Sequence, residues 1–154
     1  MQPGQEYPTR DKSLVGAAGV HYVVSELSLR GLIALPTIRN TSGVDIVVVN
    51  KDGTWHAELQ VKTSRSKVTF WPVGTGYEDW KGPNRHYVFV RFESKSRRFE
   101  TFLESADKVV ENLRIGRENE KSHGLKPWSP CFYPKGDLDR LREQWERFGP
   151  ESKP

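Results

Sequence analysis

The sequence predicts an α/β domain built on a small mixed sheet flanked by helices, and three observations carry that prediction. A β-branched run, residues 43–49, is followed after an Asp-Gly turn by a strictly alternating segment, residues 55–62, which together read as a hairpin. A helical stretch precedes this hairpin, and further strands and helices follow it, the order expected when helices cover a sheet. At 154 residues and a mean hydropathy of −0.70 the chain suits one domain. No run approaches the ~18 apolar residues of a membrane-spanning helix.

Residues 1–12 are polar, hold two prolines and are expected to form a flexible N-terminal segment. They show neither a basic start nor an apolar run, so no secretory leader is expected and a cytoplasmic location is. Residues 13–30 read as a helix, with Ser13 placed to cap it and Gly31 to end it. Residues 43–49 read as a strand buried on both faces, because every position but Gly43 and Asp45 is β-branched and apolar. Asn50 to Thr54 supply the turn. In the next strand Trp55, Ala57, Leu59 and Val61 share one face, and His56, Glu58, Gln60 and Lys62 the other.

Residues 71–85 carry three glycines, two prolines and three aromatics, which suits a long surface loop. Its Trp71, Tyr77 and Trp80 either cluster to pin that loop or stack on bases. Residues 86–92 read as a third strand and 98–103 as a short fourth. Residues 105–113 read as a helix capped by Ser105 or Asp107, and 114–134 as a polar loop. A last helix is expected over residues 137–148, where Leu138, Leu141, Trp145 and Phe148 recur at near-helical spacing. Residues 149–154 are expected to form a flexible tail, leaving 13–148 as the single expected domain.

With 24 Lys plus Arg against 20 Asp plus Glu, the net charge is +4 and the pI about 9.2. That balance permits a polyanionic partner such as nucleic acid without requiring one. Cys131 is the only cysteine, so an internal disulfide is excluded, and four scattered histidines make no Cys/His zinc set. A metal here must sit on oxygen ligands.

Asp45 interrupts an otherwise apolar strand. With the turn centred near Asp52-Gly53, it falls opposite residues 59 to 61, close to Gln60 and Lys62. An acid, an amide oxygen and an ammonium together suit a divalent cation, Mg²⁺ or Mn²⁺, beside a phosphate. Glu26 lies on the helix side of Val15, Gly19, Tyr22, Val23 and Leu27, and an inward carboxylate needs a partner, which a metal or Lys62 supplies. Glu58 shares the face of Gln60 and is a candidate accessory acid, although Glu58 with Lys62 also reads as an ordinary surface pair. Lys62, Arg65, Lys67, Arg97 and Arg98 read either as a track for phosphates or as solvated basic loops.

The helix with Glu26, the strand-initial Asp45 and the Gln60-Val61-Lys62 triplet together resemble the PD-(D/E)XK phosphodiesterase superfamily, the restriction-endonuclease-like group. The resemblance is to the branch of archaeal Holliday junction resolvases and covers about residues 13–65. It implies an α-β-β-β-α-β core and Mg²⁺- or Mn²⁺-dependent hydrolysis of DNA phosphodiesters. By position it implies Asp45 as the metal-binding acid, Gln60 at the (D/E) place, Lys62 as the lysine, the Val61 carbonyl as a further ligand and Glu26 as the helix acid. Two positions depart from the pattern. Val44 replaces the usual proline, and Gln60 replaces an acid, so the cation is held less strongly. The alternative is a weak or inactive nuclease-fold module that binds nucleic acid or a protein partner. Cutting both strands of a duplex implies, by analogy, a homodimer.

Overall fold

A computed structural model describes residues 11–38, 43–65, 68–93, 96–124, 129–134 and 136–149. The first helix, α1 (Lys12–Leu29), starts one residue earlier than its sequence suggests. Its cap is Asp11 and not Ser13: the Asp11 carboxylate accepts the N–H groups of Ser13 (2.8 Å) and Leu14 (3.4 Å). Gly31 ends it in the left-handed conformation, φ +83°, as expected.

A short strand follows that sequence periodicity does not reveal, β1 (Ile33–Pro36). It pairs antiparallel with β2 (Ile46–Val49), which pairs antiparallel with β3 (His56–Ser64) across the expected turn. β4 (Trp71–Pro72) leaves the main sheet, and the chain returns as β5 (Arg85–Glu93) parallel to β3, then β6 (Arg98–Ser105) antiparallel to β5. The five-stranded mixed sheet has the order β1-β2-β3-β5-β6. The crossover from β3 to β5 contains β4 and one 3₁₀ turn, Tyr77–Asp79. The long helix α2 (Ala106–Ser122) comes only after β6.

Each sheet face has its own core. Val23 and Leu27 of α1 cover Ile46, Val48, Leu59 and Val88 on one side. Val109, Val110 and Leu113 of α2 join Tyr87, Phe89 and Phe102 on the other. Ile46 and Val48 are buried while Val47 and Val49 are only half-buried, so β2 is not enclosed on both faces as its β-branched run suggests. The reason is placement: α2 packs over β5 and β6 rather than over β2.

Residues 71–85 are not a surface loop. Trp71, Tyr77 and Trp80 are 1%, 4% and 7% exposed, and the Trp71 indole N–H donates to the Val90 carbonyl at 3.1 Å. The aromatics belong to the α2-side core, so of the two readings the pinning cluster is the one observed. β4 is held from outside by β7 (Cys131–Phe132).

Helix α2 runs nine residues beyond the expected end at Leu113, its last buried residue. Past that point Arg114, paired to Glu111 (2.8 Å) and Glu118 (2.6 Å) one turn away, supports an exposed helix that carries no apolar stripe.

The expected last helix is only α3 (Leu138–Leu141). Arg142 then bridges to Phe102 of β6, Glu143 turns to φ +50°, and a 3₁₀ turn covers Trp145–Arg147. Leu141, Trp145 and Phe148 are buried as anticipated, but by an extended strap. Leu141 enters the α2-side core while Trp145 and Phe148 enter the α1-side core, so the strap wraps the β6 edge of the sheet. Ion pairs fasten it: Arg142 to Glu100, Arg140 to Glu104 (3.0 Å) and Arg147 to Glu104 (3.1 Å). Wrapping also blunts an edge strand otherwise open to pairing. Among the described residues no helix is long and apolar enough to cross a membrane.

Two predictions follow from this packing. A Cβ at Gly19 would overlap the Thr63 side chain, so α1 lies against β3 only because position 19 has none. Gly19→Ala is expected to destabilise by about 1–3 kcal/mol despite its better helix propensity, and Thr63→Ala in the same chain to recover part of that in urea unfolding.

His86 sits edge-on to Phe148 at 5.2 Å with its Nδ1 buried and, among the described residues, unbonded, and burial together with the nearby Arg147 pushes its pKa down to about 4. Unfolded chains bind that proton near pH 6.5, so His86 erodes stability as pH falls from about 6.5 toward 4. Between pH 7.5 and 5 wild type should lose about 2 kcal/mol more than His86→Phe in denaturant melts.

Candidate functional site

Asp45 stands one residue before β2, where the regular ladder to β3 ends. Its N–H donates to the Leu59 carbonyl (2.8 Å) and its carbonyl accepts from Thr37 (2.9 Å). Where a backbone carbonyl would otherwise receive the Val61 N–H, the Asp45 carboxylate does so instead, at 2.7 Å. The side chain is thereby clamped across from Gln60, between the backbone positions of Leu59 and Val61.

Two charges share this spot. Asp45 is half-buried, and loss of water raises its pKa against the opposing pull of the Val61 N–H and of Lys62. Lys62 is half-buried too, and desolvation lowers its pKa while Asp45 works the other way. In both groups burial outweighs the attraction, so the site holds ionisable groups at some cost to the fold, a pattern typical of functional centres.

Gln60 is half-buried and faces a cavity of about 440 Å³. Val44, Glu58, Trp80, Arg85 and Tyr87 also line it. Glu58 is bound to Arg85 at 2.8 Å, which engages the carboxylate that sequence offered as an accessory acid. Arg85 and Tyr87 were not anticipated here. The strand of Tyr87 is legible in the sequence, while Arg85 reads as the end of the preceding loop, and only the parallel register, Glu58 beside Arg85 and Gln60 beside Tyr87, brings them to this wall. Gly43 is also required: at φ +80° its missing side chain leaves room for the Trp80 indole, which a Cβ would meet at 2.9 Å.

Glu26 is not brought to this group. Its carboxylate pairs with Arg30 of the same helix at 2.6 Å and hydrogen-bonds Tyr22, whose pKa burial and that neighbouring charge push up to about 12. Neither Asp45 nor Lys62 senses it. Arg65 follows the end of β3, and Arg97 and Arg98 lie at the β5–β6 turn; because β3 and β5 are parallel, all three sit at one end of the sheet. Lys67 lies outside the described residues.

Among the described residues no three His, Cys, Asp or Glu side chains converge as a metal cluster. The oxygens that would hold a metal beside Asp45 are therefore its own carboxylate, the Gln60 amide oxygen and the Val61 carbonyl. That set suits an oxygen-loving divalent cation completed by water and a phosphate, as Mg²⁺ commonly is. The Asp45 carboxylate fits the anionic ligand: it is half-buried and, among the described residues, its hydrogen bond is from a neutral N–H.

No protein-family model matches the sequence, and no curated protein matches it. Among solved structures the fold is similar to that of a bacterial homing endonuclease, I-Ssp6803I. The similarity has a TM-score of 0.52 at 14% identity, over 90% of this chain and 91% of that one. At this identity the likeness establishes an endonuclease-like fold.

The site's electrostatics make a direct prediction. The double variant Asp45→Asn/Lys62→Met keeps an acceptor for Val61 and removes both desolvated charges. It is expected to be more stable than wild type by about 1–3 kcal/mol in chemical denaturation, while Lys62→Met alone, which strands Asp45, is expected to be less stable than the double variant. A double variant clearly weaker than wild type would mean that the charges hold the fold together.

Proposed function

We propose that this protein is a metal-dependent endonuclease that hydrolyses DNA phosphodiester bonds at Asp45, Gln60 and Lys62, in the manner of the PD-(D/E)XK superfamily and its resolvase-like branch. The observation that carries the reading is the clamp of the Asp45 carboxylate on the Val61 N–H, beside Gln60 and within electrostatic reach of Lys62. The likeness of the fold to a homing endonuclease supports it independently.

Asp45 contributes the full negative charge that holds Mg²⁺ or Mn²⁺, and Gln60 and the Val61 carbonyl add neutral oxygens. When bound, such a cation polarises a phosphate oxygen and lowers the pKa of water. Lys62 stands next to this group. Its ammonium orients the attacking water and neutralises charge developing on the phosphate, and its partial burial makes that charge more effective than it would be in bulk solvent. Arg65, Arg97 and Arg98, at the same end of the sheet, bind flanking phosphates and set the register of the strand. Glu58 holds Arg85 in place at the cavity wall. Glu26 acts in α1 through Arg30. Each copy carries one such centre, so cutting both strands of a duplex calls for two copies.

The neutral Gln60 and the lack of a three-acid cluster among the described residues favour a second reading, a nuclease fold that binds DNA without cutting. Supercoiled plasmid and a synthetic four-way junction, incubated with Mn²⁺, Mg²⁺ or EDTA, separate the two. Metal-dependent cutting by wild type is expected, with a loss of about a hundredfold or more in Asp45→Ala and in Lys62→Ala at unchanged circular dichroism. Salt-sensitive DNA binding with no cutting in any metal would favour the binding module, and neither activity would refute both readings.

A further inference from the structure

Tyr87 is fully buried, yet its hydroxyl has no hydrogen-bond partner among the described residues. Such groups are rare in folded proteins and call for a reason. The ring is held between Trp80, edge-on at 4.7 Å, and Phe89, stacked at 5.6 Å, so packing fixes where the hydroxyl sits. Tyr87 is also the register neighbour of Gln60 on the adjacent parallel strand, and both line the same cavity. Burial keeps the phenol neutral by holding its pKa well above the ordinary tyrosine value, which leaves one O–H donor and oxygen lone pairs to accept.

Gln60 has the complementary need. A carboxylate presents an oxygen to a cation whichever way it turns, whereas an amide presents either an oxygen or an NH₂ group, and the NH₂ repels the cation. A glutamine ligand therefore requires an acceptor for its NH₂. Glu58, the acidic neighbour on the same strand face, is already engaged by Arg85.

We propose that Tyr87 is the positioning residue for Gln60: its hydroxyl oxygen accepts the Gln60 Nε2–H and so turns Oε1 toward the cation that Asp45 holds. This rests on the reading of Asp45 and Gln60 as cation ligands. It also gives the buried hydroxyl a partner and accounts for a neutral side chain at a position where an acid would need no such help.

Mn²⁺ titrations followed by electron paramagnetic resonance, without DNA, test it in wild type, Tyr87→Phe, Gln60→Glu and Gln60→Glu/Tyr87→Phe. Tyr87→Phe keeps the ring packing, which thermal melts verify. It is expected to weaken Mn²⁺ binding about three- to tenfold, the worth of one hydrogen bond. Gln60→Glu is expected to bind more tightly than wild type, and the double variant to match Gln60→Glu, since a carboxylate needs no orienting. Equal Mn²⁺ binding by wild type and Tyr87→Phe, or an equal loss in both backgrounds, would overturn the role of Tyr87 while leaving the cation site standing. No Mn²⁺ binding by either wild type or Gln60→Glu would overturn the cation site itself.

Discussion

One hydrogen bond organises the centre of this molecule: the Val61 N–H donating to the Asp45 carboxylate rather than to a backbone carbonyl. A sheet normally satisfies its N–H groups from the neighbouring strand, and an unpaired buried one is costly. Here the ladder between β2 and β3 stops at Ile46 and a side chain takes over the next donor. That substitution draws a carboxylate out of solvent and fixes it beside Gln60 and Lys62, at the point where regular pairing ends and a groove can open. Everything proposed for the site depends on Asp45 being unable to leave.

The rest of the architecture holds β3 still. Gly19 lets α1 settle directly on Thr63, the residue after Lys62, so one face of the strand is backed by a helix at close range. On the other face the buried aromatics Trp80, Tyr87 and Phe89 form a rigid wall next to Gln60. The C-terminal strap closes the β6 edge and its arginines pair with Glu100 and Glu104, while Arg91 of β5, with Arg142 of the strap adding to it, holds the Glu100 carboxyl down to about 2. Contrast is instructive: Glu104 is buried and fully paired by two arginines, whereas Asp45 is half-buried with a raised pKa. The first arrangement serves stability, and the second keeps a carboxylate partly out of water with only the Val61 N–H and the nearby Lys62 to offset the loss.

How much of this was legible depended on how local the cause was. The alternation from Trp55 to Lys62 and the Asp-Gly turn specify the β2–β3 hairpin through backbone periodicity and turn chemistry alone, which is why Asp45 could be set opposite residues 59 to 61 beforehand. Where local patterns were ambiguous, tertiary packing decided. Trp71, Tyr77 and Trp80 sit among glycines and prolines and look like loop residues, yet the core behind β5 takes them in. Leu141, Trp145 and Phe148 recur at helical spacing, but the edge of the sheet lies between them, so they are buried on opposite sides by a strap that no helix could follow. Glu26 flanks the buried stripe of α1, as its position on the helix suggests, but an arginine one turn on claims it.

The sequence by itself determined the hairpin, the helix that precedes it and the acid, amide and lysine that the hairpin brings together, because each follows from interactions between residues close in the chain. Only the tertiary structure decided that β5 runs parallel to β3, and with it that Arg85 neutralises Glu58 and that Tyr87 is the register neighbour of Gln60. A parallel register is set by the length and burial of a crossover and by two cores packing at once. Those are properties of the whole chain, and no window of residues contains them.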